Sequence, residues 1–361
     1  MYRKRSRSGV MATNGEPTHV QHQQAERLTI RDIARLAGVS TATVSRVANG
    51  RPDVSEETRV QVQKVMREHG FTANRSARAL SAKRTGLIGL TVPFVEETYF
   101  TGILSGAAEA LYELDQRVVL CPTHHDHERE VSLIEHLMGG TTDGALILLP
   151  EESSLELRRL QELGYPFVVV DPRQALDDGI PAVSATHAAG ARAATDHLLR
   201  LGHRRVALIT GTADWLATDE RIEGYRMALT AGGLAFTYEL LAGGDFATAT
   251  GYRAARLLLE LEDPPTAIFA SNDNLAIGAM RAVFERGLGI PRDISIVGFD
   301  DSGLASNVFP RLTTVRQPLG ELGRTAVSLL NRLLNGQRTE ALRIELATQL
   351  IVRESTGPAP S

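Results

Sequence analysis

The chain has 361 residues, of which 43% are hydrophobic and 23% charged, a balance ordinary for a soluble protein with two or three domain cores. Its one cysteine, Cys121, excludes a disulfide framework or a multi-thiolate metal site and fits a reducing cytosol, and no apolar run approaches the ~18 residues of a membrane span. The net charge of −4 conceals an asymmetry: residues 1–84 hold 16 Lys and Arg against 7 Asp and Glu, and the remainder 23 against 36, which suggests that a polyanion meets the first part only.

Residues 1–26 (MYRKRSRSGVMATNGEPTHVQHQQAE) have almost no apolar periodicity and read as a disordered, mildly basic tail. They lack the apolar segment of a secretory signal, and either Met1 or Met11 fits as the start. Three short helical patterns follow between residues 27 and 70. In Thr29–Gly50, TIRDIARLAGVSTATVSRVANG, Thr29 and Asp32 make a capping-box-like start, and Ile33, Ala34 and Leu36–Ala37 supply a buried face. Gly38 lets the chain turn with positive φ. Ser40 then caps a second helix whose Val44 and Val47 face inward, and Ala34 is small because the two helices cross there. This order describes a helix-turn-helix.

The outer face of the second helix, Thr41, Ala42, Thr43, Ser45, Arg46 and Asn49, is short, polar and basic. Such a face can enter a major groove, where arginine pairs bidentately with guanine. A third helix is capped by Ser55, carries Glu56 and Glu57 in its first turn, offers Val60, Val62, Val65 and Met66, and stops at Gly70.

From Leu87 the pattern alternates between strand and helix. Apolar runs without polar alternation predict strands at Leu87–Val92, Val118–Cys121, Ala145–Leu149, Phe167–Val170, Val206–Ile209, Ala267–Ala270 and Ile294–Phe299. Helical patterns cover Gly102–Leu114, Ala188–Leu201, Glu220–Ala231, Gly251–Leu261 and Asn274–Arg286, with Gly202 and Gly287 as C-caps. Repeated βα units imply parallel sheets with right-handed crossovers, either as one large sheet or as two sub-domains.

The sequence resembles the lactose/galactose-repressor (LacI/GalR) family of bacterial transcription regulators. The resemblance runs from TIRDIARLAGVSTATVSRVANG through VSEETRVQVQKVMREHGF to LIGLTVP, and more weakly over almost all of the remaining chain. It implies a small all-α helix-turn-helix head and an α/β periplasmic-binding-protein-like body of two doubly wound parallel-sheet sub-domains. The head would span 27–73, a hinge helix and linker 74–86, and an effector-binding and dimerisation domain 87–361. Within the last, the sub-domains would be 87–184 plus 318–341, and 185–317 plus 342–355.

Carried over residue by residue, the resemblance implies that Thr41, Ala42 and Arg46 read bases. Ser40, Thr43, Ser45 and Asn49 would mostly contact phosphates or support the helix, and Thr29, Asn74 and Arg78 complete the DNA-facing set. The stretch Asn74–Ser81 matches the family's hinge helix, too short to be stable alone in water and expected to form only when two copies pack over DNA. Leu80 lies where the family inserts a leucine between base pairs of the minor groove.

In the body, ligands of parallel sheets sit at the carboxyl ends of strands. There Asp171 follows VVV, Asp300 follows SIVGF, and Asn272 and Asp273 follow AIFAS, while Arg221 opens a helix in DERIEGY. Carboxylate, Asn and Arg suit paired sugar hydroxyls, and aromatic rings suit the C–H faces. Asp171, Arg221, Asn272 and Asp300 match the family's effector-contact positions, with Trp215 and Phe100 as walls. Two departures bear on ligand choice: Thr186-His187 stands where the family often has Asp-Asn, and Ala217-Thr218 where it often has a Ser. The Gly202-His203-Arg204-Arg205 turn reads as structural.

His124, His125 and His127 cluster in a loop before a helix that Asp126 and Glu128 would cap, with no further ligands at metal spacing, so no metal or cofactor is expected. G-x-S-x-G, P-loop and H-E-x-x-H motifs are missing, so no enzyme is expected. Cys121 reads as a small buried hydrophobe. The C-terminal stretch carries no leucine heptads, so no tetramerising coiled coil is expected, and the resemblance implies a homodimer. These features point to a cytoplasmic, nucleoid-associated repressor whose partners are a pseudo-palindromic operator duplex and a small effector, most simply a sugar. A periplasmic sugar-binding protein, a sugar-metabolising enzyme and a non-specific nucleoid protein are the competing classes; the first would need a signal sequence and no DNA-binding head.

Overall fold

Three helices form the head in the computed structural model, in which residues 28–48, 53–71, 84–95, 98–339 and 341–360 are described. Helix α1 (Ile30–Leu36) starts with a complete capping box: the Thr29 amide donates to Asp32 Oδ2 (2.9 Å), and the Asp32 amide to Thr29 Oγ1 (3.4 Å). The chain turns at Gly38 (φ 65°) into α2 (Thr41–Ala48), where Ser40 Oγ accepts the Thr43 amide at 3.1 Å. Helix α3 (Glu56–Glu68) is capped by Ser55 and followed by Gly70 at φ 60°. Ile33, Ala34, Ala37, Val44, Val47 and Val62 make a dry core between them. Leu36 and Val60 depart from expectation, being 50% and 51% exposed. The buried stripe of α1 runs through Ile33, Ala34 and Ala37, and the 3.6-residue period carries Leu36 past its edge. The expected tail (1–26) and hinge helix (74–81) lie outside the described residues.

The body holds two six-stranded sheets, so the βα repeats form two sub-domains and not one large sheet. The first half runs β1 (Leu87–Val92), α4 (Thr98–Glu113), β2 (Arg117–Pro122), α5 (His127–His136), β3 (Gly144–Leu148), α6 (Ser154–Glu162), β4 (Phe167–Val170) and β5 (Ala182–Ala185). The second runs α7 (His187–Arg200), β6 (Val206–Thr210), α8 (Leu216–Ala231), β7 (Leu241–Gly243), α9 (Thr248–Leu258), β8 (Ala267–Ala270), α10 (Asp273–Glu285), β9 (Ser295–Asp300), α11 (Gly303–Asn307) and β10 (Thr313–Arg316). The chain then returns as α12 (Leu319–Leu334), β11 (Arg343–Leu346) and β12 (Gln349–Ile351).

Sheet order is β11-β5-β4-β3-β1-β2 in one sub-domain and β12-β10-β9-β8-β6-β7 in the other. Every pairing is parallel except β10 with β12. The central strands are buried on both faces, as continuous apolar runs require. Helix α12 packs on the first sub-domain, with Leu322, Ala326, Val327, Leu329 and Leu330 in its core.

One boundary is corrected. Residues 342–355 were expected wholly in the second sub-domain, but β11 pairs with β5 in the first, and only β12 belongs to the second. The last crossing therefore falls at residues 347–348. β11 is an edge strand of alternating exposure (Arg-Ile-Glu-Leu), without the apolar run that marks a central strand.

Gly224 brings α8 and α7 close together: a Cβ there would fall 2.1 Å from the Ala188 carbonyl oxygen. That approach sets Arg221 of α8 beside His187 of α7. Among the described residues no helix is long and apolar enough to cross a membrane.

Candidate functional site

Two places gather the residues that the sequence singles out. The first is the outer face of α2. Thr41, Ala42 and Arg46 are exposed, Thr43 and Ser45 half-buried, and Val44 and Val47 point into the head core. Arg46 Nε lies 3.3 Å from Asp53 Oδ2, with both side chains more than half exposed. Such a pair contributes little and exchanges readily for another anion. Ser40 is spent on its cap, its Oγ also meeting Thr43 Oγ1 at 2.9 Å, and Thr29 donates to Asp32 Oδ2 at 2.6 Å. The Gln61 amide donates to the Ala37 carbonyl (2.9 Å), tying α3 to the turn before α2. Asn49, Asn74, Arg78 and Leu80 lie outside the described residues.

The second is a cleft of about 740 Å³ in the body, within the size range of small-molecule sites. Phe100, Asp171, Trp215, Arg221, Asn272 and Asp300 all line it. Asp171, Asn272 and Asp300 arrive at the carboxyl ends of β4, β8 and β9, the topological switch position of doubly wound sheets. The backbone is strained at this rim: Asp171 (φ 52°), Asp300 (106°), Leu149 (46°) and His125 (55°) occupy left-handed space. Non-glycine residues hold such conformations at a cost, and they concentrate at ligand sites.

Asp171 is the most heavily supported group. His187 Nε2 stands 2.7 Å from its Oδ1, and the Tyr99 hydroxyl donates to its Oδ2. Burial alone would raise this carboxyl; His187, Tyr99 and Arg221 together outweigh burial and hold it below the usual range. Arg221, 4% exposed, donates Nη1 to the Ser271 carbonyl (2.8 Å) and Nη2 to His187 Nδ1 (3.2 Å). Its guanidinium lies 4.1 Å over the Phe299 ring, and its buried Nε has no hydrogen-bond partner among the described residues. Asp300 accepts from Gln317 Nε2 (2.7 Å); Asp273, behind it, accepts from Thr314 Oγ1 (2.6 Å) and the Ser302 amide (2.7 Å). Burial raises both carboxyls above their ordinary range, and the negative charge of Asp300 adds to the effect on Asp273. Asn272 caps α10 through its Oδ1 (2.8 Å to the Leu275 amide) and donates Nδ2 to the Phe246 carbonyl (3.2 Å).

Several lining or supporting residues escaped the sequence reading: Tyr99, Phe246, Phe94, His125, Glu151, Arg173 and, beneath the surface, His187. Tyr99 adjoins Phe100, and His187 was noted only as a departure. Of the histidine cluster, His127 begins α5 and pairs with Glu156 at 3.1 Å, while Asp126 caps α5 as expected. His125 instead faces the cleft, its Nδ1 2.8 Å from Glu151 Oε1. His203 is fully buried between Thr266, Ser295 and the Gly357 carbonyl. Among the described residues no three His, Cys, Asp or Glu side chains group as metal ligands.

The family model for bacterial regulatory proteins, lacI family, matches residues 29–74, and that for a periplasmic binding protein-like domain matches residues 195–356. The HTH-type transcriptional regulator CelR of Thermobifida fusca is 36% identical over 341 residues, covering 92% of this chain and 99% of the relative. A solved CelR–cellobiose complex aligns with TM-score 0.70 and 35% identity, over 91% of this chain and 100% of that one. The lac repressor dimer bound to operator and the anti-inducer ONPF aligns with TM-score 0.81 and 29% identity, over 92% and 100%.

Proposed function

The chain belongs to the LacI family of bacterial regulatory proteins, and from that premise we propose that it is a homodimeric transcriptional repressor whose hold on operator DNA is set by a sugar bound in the body cleft. In this reading α2 enters the major groove. Thr41, Ala42 and Arg46 face base edges, while Thr29, Ser40, Thr43, Ser45 and Asn49 serve the phosphates or the helix itself. Two heads related by a two-fold axis match a pseudo-palindromic site. Asn74, Arg78 and Leu80 act from the hinge, Leu80 as a minor-groove wedge.

The observation that carries the reading is the meeting of Asp171, Arg221, Asn272 and Asp300 in one cleft of a chain that also presents the exposed face of α2. The cleft suits an uncharged, hydroxyl-rich ligand. Asp171 is already satisfied by His187 and Tyr99, and Glu151 is paired with Arg173. A charged ligand would have to break such pairs in a low-dielectric site. Hydroxyls can both donate to and accept from the edges of these groups. That the relative CelR has been solved with cellobiose supports the same class.

Sugar held between the sub-domains favours one relative orientation of the two lobes. That orientation alters the separation of the paired hinges and thereby the cost of docking both heads. The sugar shifts operator affinity only by its differential affinity for the two arrangements, ordinarily about 1–3 kcal/mol. The protein works by binding and not by turnover, in the cytoplasm, on the nucleoid. The reading is tested by selecting an operator from a random duplex library and titrating it against the full chain, with and without saccharides that raise its melting temperature. A selected sequence whose binding the sugar changes supports the reading; equal binding to all duplexes overturns it.

A further inference from the structure

The chain enters the body through two fastenings. Arg84 stands three residues after the stretch expected as the hinge helix (74–81), and it donates Nη1 to Asn335 Oδ1 (3.1 Å) and Nη2 to the Leu334 carbonyl. Both acceptors lie at the C-terminal end of α12, where the last carbonyls lack intrahelical donors and the helix dipole favours a cation. The next two residues grip Asp143, just before β3. Thr85 gives its amide (2.6 Å) and hydroxyl (2.9 Å) to Oδ1, and Gly86 its amide to Oδ2 (2.9 Å).

The opposite end of α12 begins at a crossing between the sub-domains. Gln317, 3% exposed, donates Nε2 to Asp300 Oδ1 (2.7 Å), and Asp300 lines the cleft from the second sub-domain. The Leu319 amide donates to the Gln317 carbonyl at 2.9 Å, so the helix starts directly on that residue. Its 16 residues then span about 24 Å. Along the way α12 is clamped to α4. A Cβ on Gly106 would fall 1.9 Å from the Gly320 carbonyl oxygen, and one on Gly323 2.1 Å from that of Ile103, so the two helices meet backbone to backbone. Arg324 adds an ion pair to Glu109 at 2.9 Å. A helix packed so closely passes a displacement on and does not absorb it.

We infer that α12 is the strut through which the cleft acts on the hinge, and that Arg84 is the positioning residue at its far end. This rests on the sugar-effector reading for its input and goes further by naming the route. A change of lobe angle at residues 317–318 turns α12 from its first residue, and Arg84 re-aims the segment that leads to the DNA-binding head.

Two arms test it, both on the full chain and a selected operator. In the first, operator affinity is measured for the wild type, Gln317→Leu, Arg84→Met and the double variant, without sugar. Gln317→Leu releases Asp300 and should change operator affinity at least about threefold in the wild type, but less than about 1.5-fold when Arg84 is already replaced. Equal effects in the two backgrounds, or none in either, overturn the strut. In the second arm D-glucose, D-galactose, D-ribose and cellobiose are added in turn. Arg84→Met should reduce the change that the most active of these causes in wild-type operator affinity to less than about twofold, with its calorimetric sugar affinity unchanged. Asn335→Ala, which removes one acceptor and no charge, should fall in between. Arg84 and Asn335 are both exposed, so the melting temperatures should stay near that of the wild type. An Arg84→Met variant that loses operator affinity equally with and without sugar has lost only a phosphate contact, which overturns the strut and leaves the sugar-effector reading standing. If none of the four sugars alters wild-type operator binding, the sugar-effector reading fails for them, and the first arm alone decides the strut.

Discussion

His187 Nε2 meets Asp171 Oδ1 at 2.7 Å, and on the other side of the same ring Nδ1 receives Arg221 at 3.2 Å. Arginine can only donate, so Nδ1 accepts and the ring proton resides on Nε2, donated to Asp171. One imidazole, 2% exposed, thus orients a carboxylate presented by the first sub-domain and a guanidinium presented by the second. Replacing it by alanine strands buried polar atoms on both sides, a penalty of about 1–3 kcal/mol per group. His187→Ala is expected to weaken saccharide binding at least about tenfold in calorimetry, with His187→Gln, which restores one of the two bonds, in between. Operator binding without sugar should survive in both, and unchanged saccharide affinity in the alanine variant would contradict this positioning role.

Arg221→Lys keeps the positive charge but loses the planar fork that reaches the Ser271 carbonyl and His187 together. The variant should fold, bind operator and fail to respond to the effector at concentrations that saturate the wild type. A normal response, read by gel shift or fluorescence anisotropy, would show that the ligand lies elsewhere.

Arg46→Ala acts at the other end of the chain. Its partner Asp53 is exposed, so stability should move by less than about 1 kcal/mol. Loss of a bidentate guanine contact costs about 1–3 kcal/mol at the base it reads. Competition between operator and single-base variants should show discrimination collapsing at one symmetric pair of positions, with saccharide binding intact. Preserved discrimination at every position would remove Arg46 from base reading.

Glu130 and Glu152 are 1% and 4% exposed, and neither Glu152 oxygen has a hydrogen-bond partner among the described residues. Burial, reinforced by the charge of Glu130, raises Glu152 well above the usual carboxylate range. A folded-state pKa above the unfolded value contributes stability at low pH that is lost as pH rises through the folded value. Glu152→Gln mimics the protonated acid at every pH. It should therefore raise the melting temperature little at about pH 5 and progressively more towards about pH 9. A stabilisation that does not grow with pH would mean that Glu152 ionises freely in the folded protein.

The head was legible because its chemistry is local. A capping box, a positive-φ glycine and inward valines each act within a few residues, and Thr29, Gly38, Val44 and Val47 stand in the structure as their sequence context requires. Central strands were legible as apolar runs, and with them the aspartates at their ends. Strands β5, β7, β10, β11 and β12 were not read, being three or four residues long and, at the sheet edges, only partly buried. Their placement depends on partners far away in the chain: β11 finds its register against residues 182–185. His187 was hidden for the same reason. Its neighbours Asp171 and Arg221 are 16 and 34 residues distant, and only the close α7–α8 crossing at Gly224 brings Arg221 to it.

In the proposed function, a dimer of this chain couples a sequence-reading helix to a saccharide cleft. That coupling is read from the affinity of the full chain for a selected operator and for random duplex at one fixed salt concentration, each with and without a saturating saccharide identified by calorimetry. Operator should bind much more tightly than random duplex, with a sugar-dependent change in that affinity of roughly 5–150-fold and random-duplex binding that moves far less. Equal affinity for the two duplexes, or operator binding indifferent to a sugar that demonstrably occupies the cleft, would contradict it.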